Sequence, residues 1–100
     1  MIGFCSSYVL SGQADADIEA IAEDSLTRWG LARAKAYVLE LHQTFQMLAE
    51  FPGLGRDASD IRPGYRKIEA TEHSVFYREM ADGVLIVRVL HRHMDFGRHL

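Results

Sequence analysis

The sequence predicts a small α+β fold: an N-terminal strand, an antiparallel two-helix hairpin, then a three-stranded antiparallel meander. Three observations carry that expectation. Across the first half of the chain, apolar residues recur at three- and four-residue steps, the spacing that turns one stripe of a helix toward a core. A lone glycine, Gly30, interrupts the pattern and divides it into two helices. Beyond residue 64 the pattern changes to short β-rich segments, the last two separated by Asp82-Gly83.

Residues 6–10 read as a short strand, since Tyr8, Val9 and Leu10 run together and Ser11-Gly12 punctuates them. A helix over about 14–29 follows from the stripe Ile18, Ile21, Ala22, Ser25, Leu26 and Trp29. Asp15, Asp17 and Glu19 crowd its first turns, where the helix dipole favours negative charge. Gly30 can end it in the left-handed conformation of a C-terminal cap. The second helix carries Ala34, Val38, Leu41, Phe45 and Leu48 on one stripe, widened by Tyr37, and Phe51-Pro52-Gly53 closes it. So short a link between helices implies an antiparallel hairpin. Residues 54–64, rich in Gly, Asp and Ser and containing Pro63-Gly64, read as a surface connection. Strands are expected over 65–70, 74–80 and 84–90, with Asp82-Gly83 as the pair a type I′ turn favours. Residues 84–90 are apolar except at Arg88, which predicts a central strand covered on both faces.

A chain of 100 residues with 48% hydrophobic and 25% charged residues is expected to be one soluble domain spanning 1–100, neither disordered nor membrane-spanning. The first ten residues lack the basic segment and long apolar run of a signal peptide, so a cytoplasmic location is expected. The single cysteine, Cys5, has no partner in the chain for a disulfide and reads as a small packing group. Net charge is −3, unevenly spread: residues 1–60 have four Arg or Lys against nine acids, residues 61–100 seven against five. That is too weakly basic for a dedicated nucleic-acid binder, though a local basic face is compatible with it.

The stretch Arg88-Val89-Leu90-His91-Arg92-His93-Met94-Asp95 is the main chemical candidate. His91, His93 and Asp95 alternate and would share one side of an extended strand. His-x-His-x-Asp begins the ligand motif of metallo-β-lactamase-type hydrolases, but residue 96 is Phe where that motif has another His. A metal also needs three or four ligands with supporting partners, so no metal and no cofactor is expected. Acid–base cleavage of RNA is the alternative, with imidazoles near neutrality and Arg66, Lys67, Arg78, Arg88 and Arg92 as phosphate contacts. Strand alternation opposes it, because Arg88 and Arg92 would share a face with Ile86 and Leu90 while His91 and His93 share the other with Val87 and Val89. The plainer reading pairs Arg88 with a carboxylate and leaves Arg66, Lys67 and Arg92 solvated. Gly53-Leu54-Gly55 follows a helix instead of opening one, so it is no phosphate cradle. Trp29 and Tyr37 each continue a helical stripe and read as packing groups.

Several short motifs, in this order, resemble those of a known family: Arg28-Trp29-Gly30, Pro52-Gly53-Leu54-Gly55, Arg62-Pro63-Gly64-Tyr65-Arg66, Phe76-Tyr77-Arg78, Arg88-Val89-Leu90-His91, Met94-Asp95 and Arg98-His99-Leu100. Together with the element order, they make the chain similar to the RelE/ParE superfamily of bacterial toxins, and to its ParE branch above all. The resemblance implies a toxin of a type II toxin–antitoxin pair, bound by a ParD-like antitoxin in a hetero-oligomer. ParE-type toxins are associated with DNA gyrase, and RelE-type toxins with cleavage of ribosome-bound mRNA. The fold is common to both. The RelE-like ribonuclease set is incomplete here: Ser74 stands where an arginine would align, and the chain ends in His99-Leu100 without a tyrosine. The expectation is therefore a protein that acts by binding, with no catalytic residue and no sequence-specific contact to nucleic acid. Arg66, Tyr77, Arg78, His91, Arg92, His93 and Arg98 are the residues expected to meet antitoxin or target, since Arg and aromatic side chains dominate interface energetics.

Overall fold

A computed structural model describes residues 7–91 of the chain. The expectations attached to Cys5, Ser6, Arg92, His93, Asp95, Arg98 and the 96–100 tail lie outside the described residues. The order is β1 (Ser7–Leu10), α1 (Gly12–Trp29), α2 (Leu31–Glu50), a single 3-10 turn (Pro52–Leu54), β2 (Arg56–Asp57), β3 (Tyr65–Ala70), β4 (His73–Met80) and β5 (Gly83–His91). The α+β class and the strand, helix-pair and meander order are as the sequence predicts. The five strands form one sheet in the order β1-β5-β4-β3-β2, with β1 parallel to β5 and the other pairs antiparallel.

Helix α1 starts earlier than the apolar stripe indicates, because Ser11 caps it: its hydroxyl accepts the Ala14 N–H at 3.0 Å. Gly30 joins the helices with φ +90° and ψ 171°, a region open to glycine but not the left-handed helical one expected of a cap. Ala14, Ile18 and Ile21 of α1 pack with Tyr37, Leu41, Phe45 and Leu48 of α2 against Ala70, Val75, Tyr77, Val84, Ile86 and Val89 of the sheet. Leu26, placed on the buried stripe of α1 by spacing, is instead 48% exposed. On the sheet's other face Ser74, Phe76 and Leu90 are also buried, so β4 and β5 have buried residues on both faces.

Strand β5 outruns its parallel neighbour. β1 ends at Leu10, opposite Ile86, and the start of α1 takes over that edge. Ser11 donates its N–H to Ile86 O at 3.0 Å and its hydroxyl to Val87 O at 2.7 Å. Asp17, six residues further on, accepts the Val89 N–H at 3.0 Å and two bonds from the Arg88 guanidinium at 2.8 Å each. Edge groups that would otherwise stand unpaired are thus satisfied by the Ser11 backbone and by the Ser11 and Asp17 side chains. This is the carboxylate partner the sequence calls for at Arg88.

A β-bulge changes the alternation read from the sequence. Tyr77 pairs with Ile86 but Phe76 pairs with Arg88, leaving Val87 as the extra residue. Ile86 therefore faces the helices while Arg88 and Leu90 face the opposite side, instead of all three sharing a face. The type I′ expectation is also overturned. Met80 pairs with Gly83, so Ala81 and Asp82 connect the strands, and neither has the positive φ that turn needs. Glycine is required at 83 for another reason: with φ +155° it lies against β1, where a Cβ would collide with the Ser7 carbonyl. Residues 54–64, expected as a surface connection, contain β2 and the buried Ala58. Two residues are too few for an alternation to be read.

Candidate functional site

The residues singled out from the sequence fall into two places on the sheet. At the β2–β3–β4 rim, Arg66 and Arg78 line a cleft of about 450 Å³ together with Asp57, Ser59, Pro63, Gly64, Tyr65 and Glu79. Arg66 stands opposite Tyr77 and Asp57, and Arg78 opposite Tyr65. The Arg66 guanidinium donates to Gly55 O at 2.8 Å and lies 3.7 Å from the Glu79 carboxylate. It is half-buried, not solvated as read from sequence. Lys67 is more enclosed still: its side chain is 13% exposed, with the ammonium 3.8 Å from Glu69 and 5.7 Å from the centre of the Phe76 ring. Arg78 is exposed. Asp57 accepts the Ser59 hydroxyl at 2.6 Å and the Ser59 N–H at 3.2 Å. Those two bonds, with the Arg66 charge adding to them, hold its carboxyl below the usual range.

Tyr77 departs from the expected role. It is fully buried, so its side chain meets no partner. Its hydroxyl donates to Pro52 O at 2.8 Å and accepts the Gly55 N–H at 2.8 Å, and burial pushes the phenol pKa up. Two buried polar groups are satisfied by one oxygen, and the turn after α2 is tied to the sheet.

His91 lies at the other end of the β4–β5 pair, opposite His73. The rings are 5.5 Å apart in an edge arrangement, and His91 Nε2 is 3.8 Å from Glu72. His73 Nδ1 lies 2.6 Å from the Tyr37 hydroxyl, which also reaches Ala70 O at 3.2 Å. Glu72 is 3.6 Å from Arg28, itself paired with Asp24 at 3.0 Å. Burial lowers the His73 pKa and the neighbouring His91 charge lowers it further. His73 and Arg78 are five positions apart along β4, roughly 17 Å at about 3.3 Å per residue. The structure therefore gathers Arg66 with Arg78 and keeps His91 apart from both; Arg92, His93 and Arg98 lie outside the described residues. Among the described residues no group of three His, Cys, Asp or Glu is arranged to hold a metal ion.

Sequence reading missed Asp57, Ser59 and Glu79 as cleft walls and His73 as the partner of His91. For His73 the signal was incomplete: the two-residue loop at 81–82 alone would set His73 opposite Leu90, and the bulge at Val87 shifts the register by one to bring it opposite His91. For Asp57 there was none, because its placement depends on β2.

Comparison with known proteins defines the class. A family model described as the ParE toxin of the type II toxin–antitoxin system, parDE, matches residues 8–96. The chain is 43% identical over 96 residues to toxin ParE1 of Mycobacterium tuberculosis H37Rv, covering 95% of this chain and 98% of the relative. It is 43% identical over 93 residues to toxin ParE1 of Caulobacter vibrioides, covering 93% and 96%. To toxin ParE of Escherichia coli it is 32% identical over 96 residues, covering 95% and 93%. A solved structure of the chromosomal ParDE toxin–antitoxin system from P. aeruginosa shares the fold, with a TM-score of 0.73 at 21% identity over 87% of this chain and 96% of that one. The chain belongs to the ParE toxin family of type II toxin–antitoxin systems.

Proposed function

We propose that this chain, as one domain in the bacterial cytoplasm, is a toxin neutralised by a ParD-like antitoxin, and that it inhibits DNA gyrase by binding without catalysing a reaction. The observation that carries this reading is the ParE likeness along residues 8–96. The site geometry supports the non-catalytic part. Ser74, aligned with a ribonuclease arginine, is fully buried, and among the described residues its hydroxyl has no hydrogen-bond partner. The His91 imidazole and the Arg66–Arg78 pair lie too far apart to act on one phosphate. Among the described residues no helix is long and apolar enough to cross a membrane, which fits action on soluble partners.

The antitoxin docks on the rim lined by Arg66 and Arg78, and His91, Arg92, His93 and Arg98 are assigned to a second contact with antitoxin or target, separate from that rim. A disordered antitoxin segment would fold onto this surface and form a hetero-oligomer. Alanine at Arg78 and Arg92 together weakens antitoxin binding, read by calorimetry; unchanged affinity rejects the assignment. To test the target, the chain is induced alone in a bacterial host while DNA-damage signalling and total translation are followed. DNA breaks that precede any loss of translation support gyrase, as does loss of supercoiling by purified gyrase. Early loss of translation with cut mRNA instead returns His91 and the arginines as catalytic groups of a RelE-like ribonuclease.

A further inference from the structure

We propose that Arg66 and Tyr77 are positioning residues for antitoxin binding: they grip the turn at 52–55 and so set β2, the edge strand that forms one wall of the Arg66–Arg78 cleft. This rests on the reading that the antitoxin docks at that rim. The motif Pro52-Gly53-Leu54-Gly55 carries no chemistry of its own, yet three side-chain hydrogen bonds converge on it. Tyr77 Oη donates to Pro52 O and accepts from Gly55 N, and Arg66 donates to Gly55 O, each at 2.8 Å. Both polar groups of the Gly55 backbone are therefore taken by side chains. Only glycine fits there, because a Cβ would collide with the Tyr77 hydroxyl and lie 2.8 Å from Lys67 O.

The need for such a grip follows from the length of β2. It pairs through only Arg56 with Lys67 and Asp57 with Arg66, and a two-residue ladder offers little cooperative stability. The bonds at Gly55 supply the anchorage the ladder lacks, immediately before Arg56. Downstream, Asp57 and Ser59 line the cleft and are bonded to each other, so their place depends on where β2 lies. The core between helices and sheet is assembled from other residues plus the Tyr77 ring, which phenylalanine preserves. Arg66 thus acts through Gly55, and Tyr77 reaches the partner only through the turn it holds.

The test uses the full chain and its purified ParD-like antitoxin, with Tyr77→Phe, Arg66→Ala and Arg78→Ala. Folding is checked by circular dichroism, the Gly55 amide is followed by NMR shift and hydrogen exchange, and affinity is measured at low and high salt. Expected for Tyr77→Phe is a folded protein whose Gly55 amide loses protection and whose Kd rises about tenfold, equally at both salt concentrations. Arg66→Ala gives the same salt-independent loss. Loss of Gly55 protection with affinity within about twofold of wild type overturns the proposal. So does an Arg66→Ala defect that vanishes at high salt, the mark of a direct charge contact. Should Tyr77→Phe fail to fold, Arg66→Ala decides alone, since Arg66 lies outside the core. Arg78 touches neither Pro52 nor Gly55: unchanged affinity in Arg78→Ala means the docking site is elsewhere. A weakened Arg78→Ala beside an unaffected Tyr77→Phe rejects only the positioning role.

Discussion

Replacing Asp17 by alanine removes the carboxylate that joins α1 to β5, and the consequence can be worked from its contacts. The side chains of Asp17 and Arg88 are 14% and 15% exposed, and the guanidinium makes two 2.8 Å bonds to the carboxylate. The same carboxylate accepts the Val89 N–H beyond the end of β1. Its bonds to the guanidinium hold the Arg88 pKa above its ordinary value; without Asp17 that elevation is lost, yet Arg88 stays charged because a guanidinium is not deprotonated in proteins. Breaking a buried pair by deleting one partner costs about 3–5 kcal/mol, and the residual exposure places this one near 3. For a domain of this size, about 4–8 °C of Tm accompany each kcal/mol, so Asp17→Ala lowers Tm by roughly 12–24 °C. Asp17→Asn keeps an acceptor for Val89 while removing the charge, and falls between alanine and wild type. Thermal unfolding by circular dichroism measures each variant. The double variant Asp17→Asn with Arg88→Met should be more stable than the sum of the single losses, by about 1–3 kcal/mol. A Tm drop under about 3 °C for Asp17→Ala, or strictly additive losses in the cycle, would refute the reasoning.

Other perturbations test other joints. His73 has a folded-state pKa below its unfolded value, so the unfolded chain binds the extra proton first as pH falls. Its contribution to stability is complete above about pH 6.5 and is lost as pH falls from there through the depressed folded value. Urea midpoints across that range should decline in wild type and flatten in His73→Gln; an unchanged slope counts against burial as the cause. Gly83→Ala pushes β1 from the sheet because its Cβ meets the Ser7 carbonyl, and hydrogen exchange should show β1 opening at a cost of a few kcal/mol. Phe45→Ala empties the centre of a fully buried cluster and costs about 3–5 kcal/mol, measured by denaturant unfolding.

Helices, strands and the family likeness were legible because each leaves a local trace. Ala34, Leu41, Phe45 and Leu48 recur at helical spacing and are all buried; residues 65–70 form a strand with the predicted bounds. The rim site was half legible. Arg66 and Arg78 are near each other on adjacent strands, as basic residues in a meander would be, but Tyr77 was misjudged. Nothing in Phe76-Tyr77-Arg78 says which aromatic ring turns toward the helices when both are buried. The bulge at Val87 likewise has no local signature, yet it reverses the faces of every residue after it.

By itself the sequence determined the α+β class, the two helices and most of their buried stripes, the meander and membership in the ParE family, because these depend on periodicity and on residues near one another in the chain. Only the tertiary structure decided that β1 lies parallel to β5, that Asp17 anchors Arg88, that Tyr77 grips the turn after α2 and that His91 stands apart from the arginine cleft. Those contacts join residues 22 to 76 positions apart. Long-range pairing is chosen by whole-molecule packing and hydrogen-bond satisfaction, which no local pattern encodes.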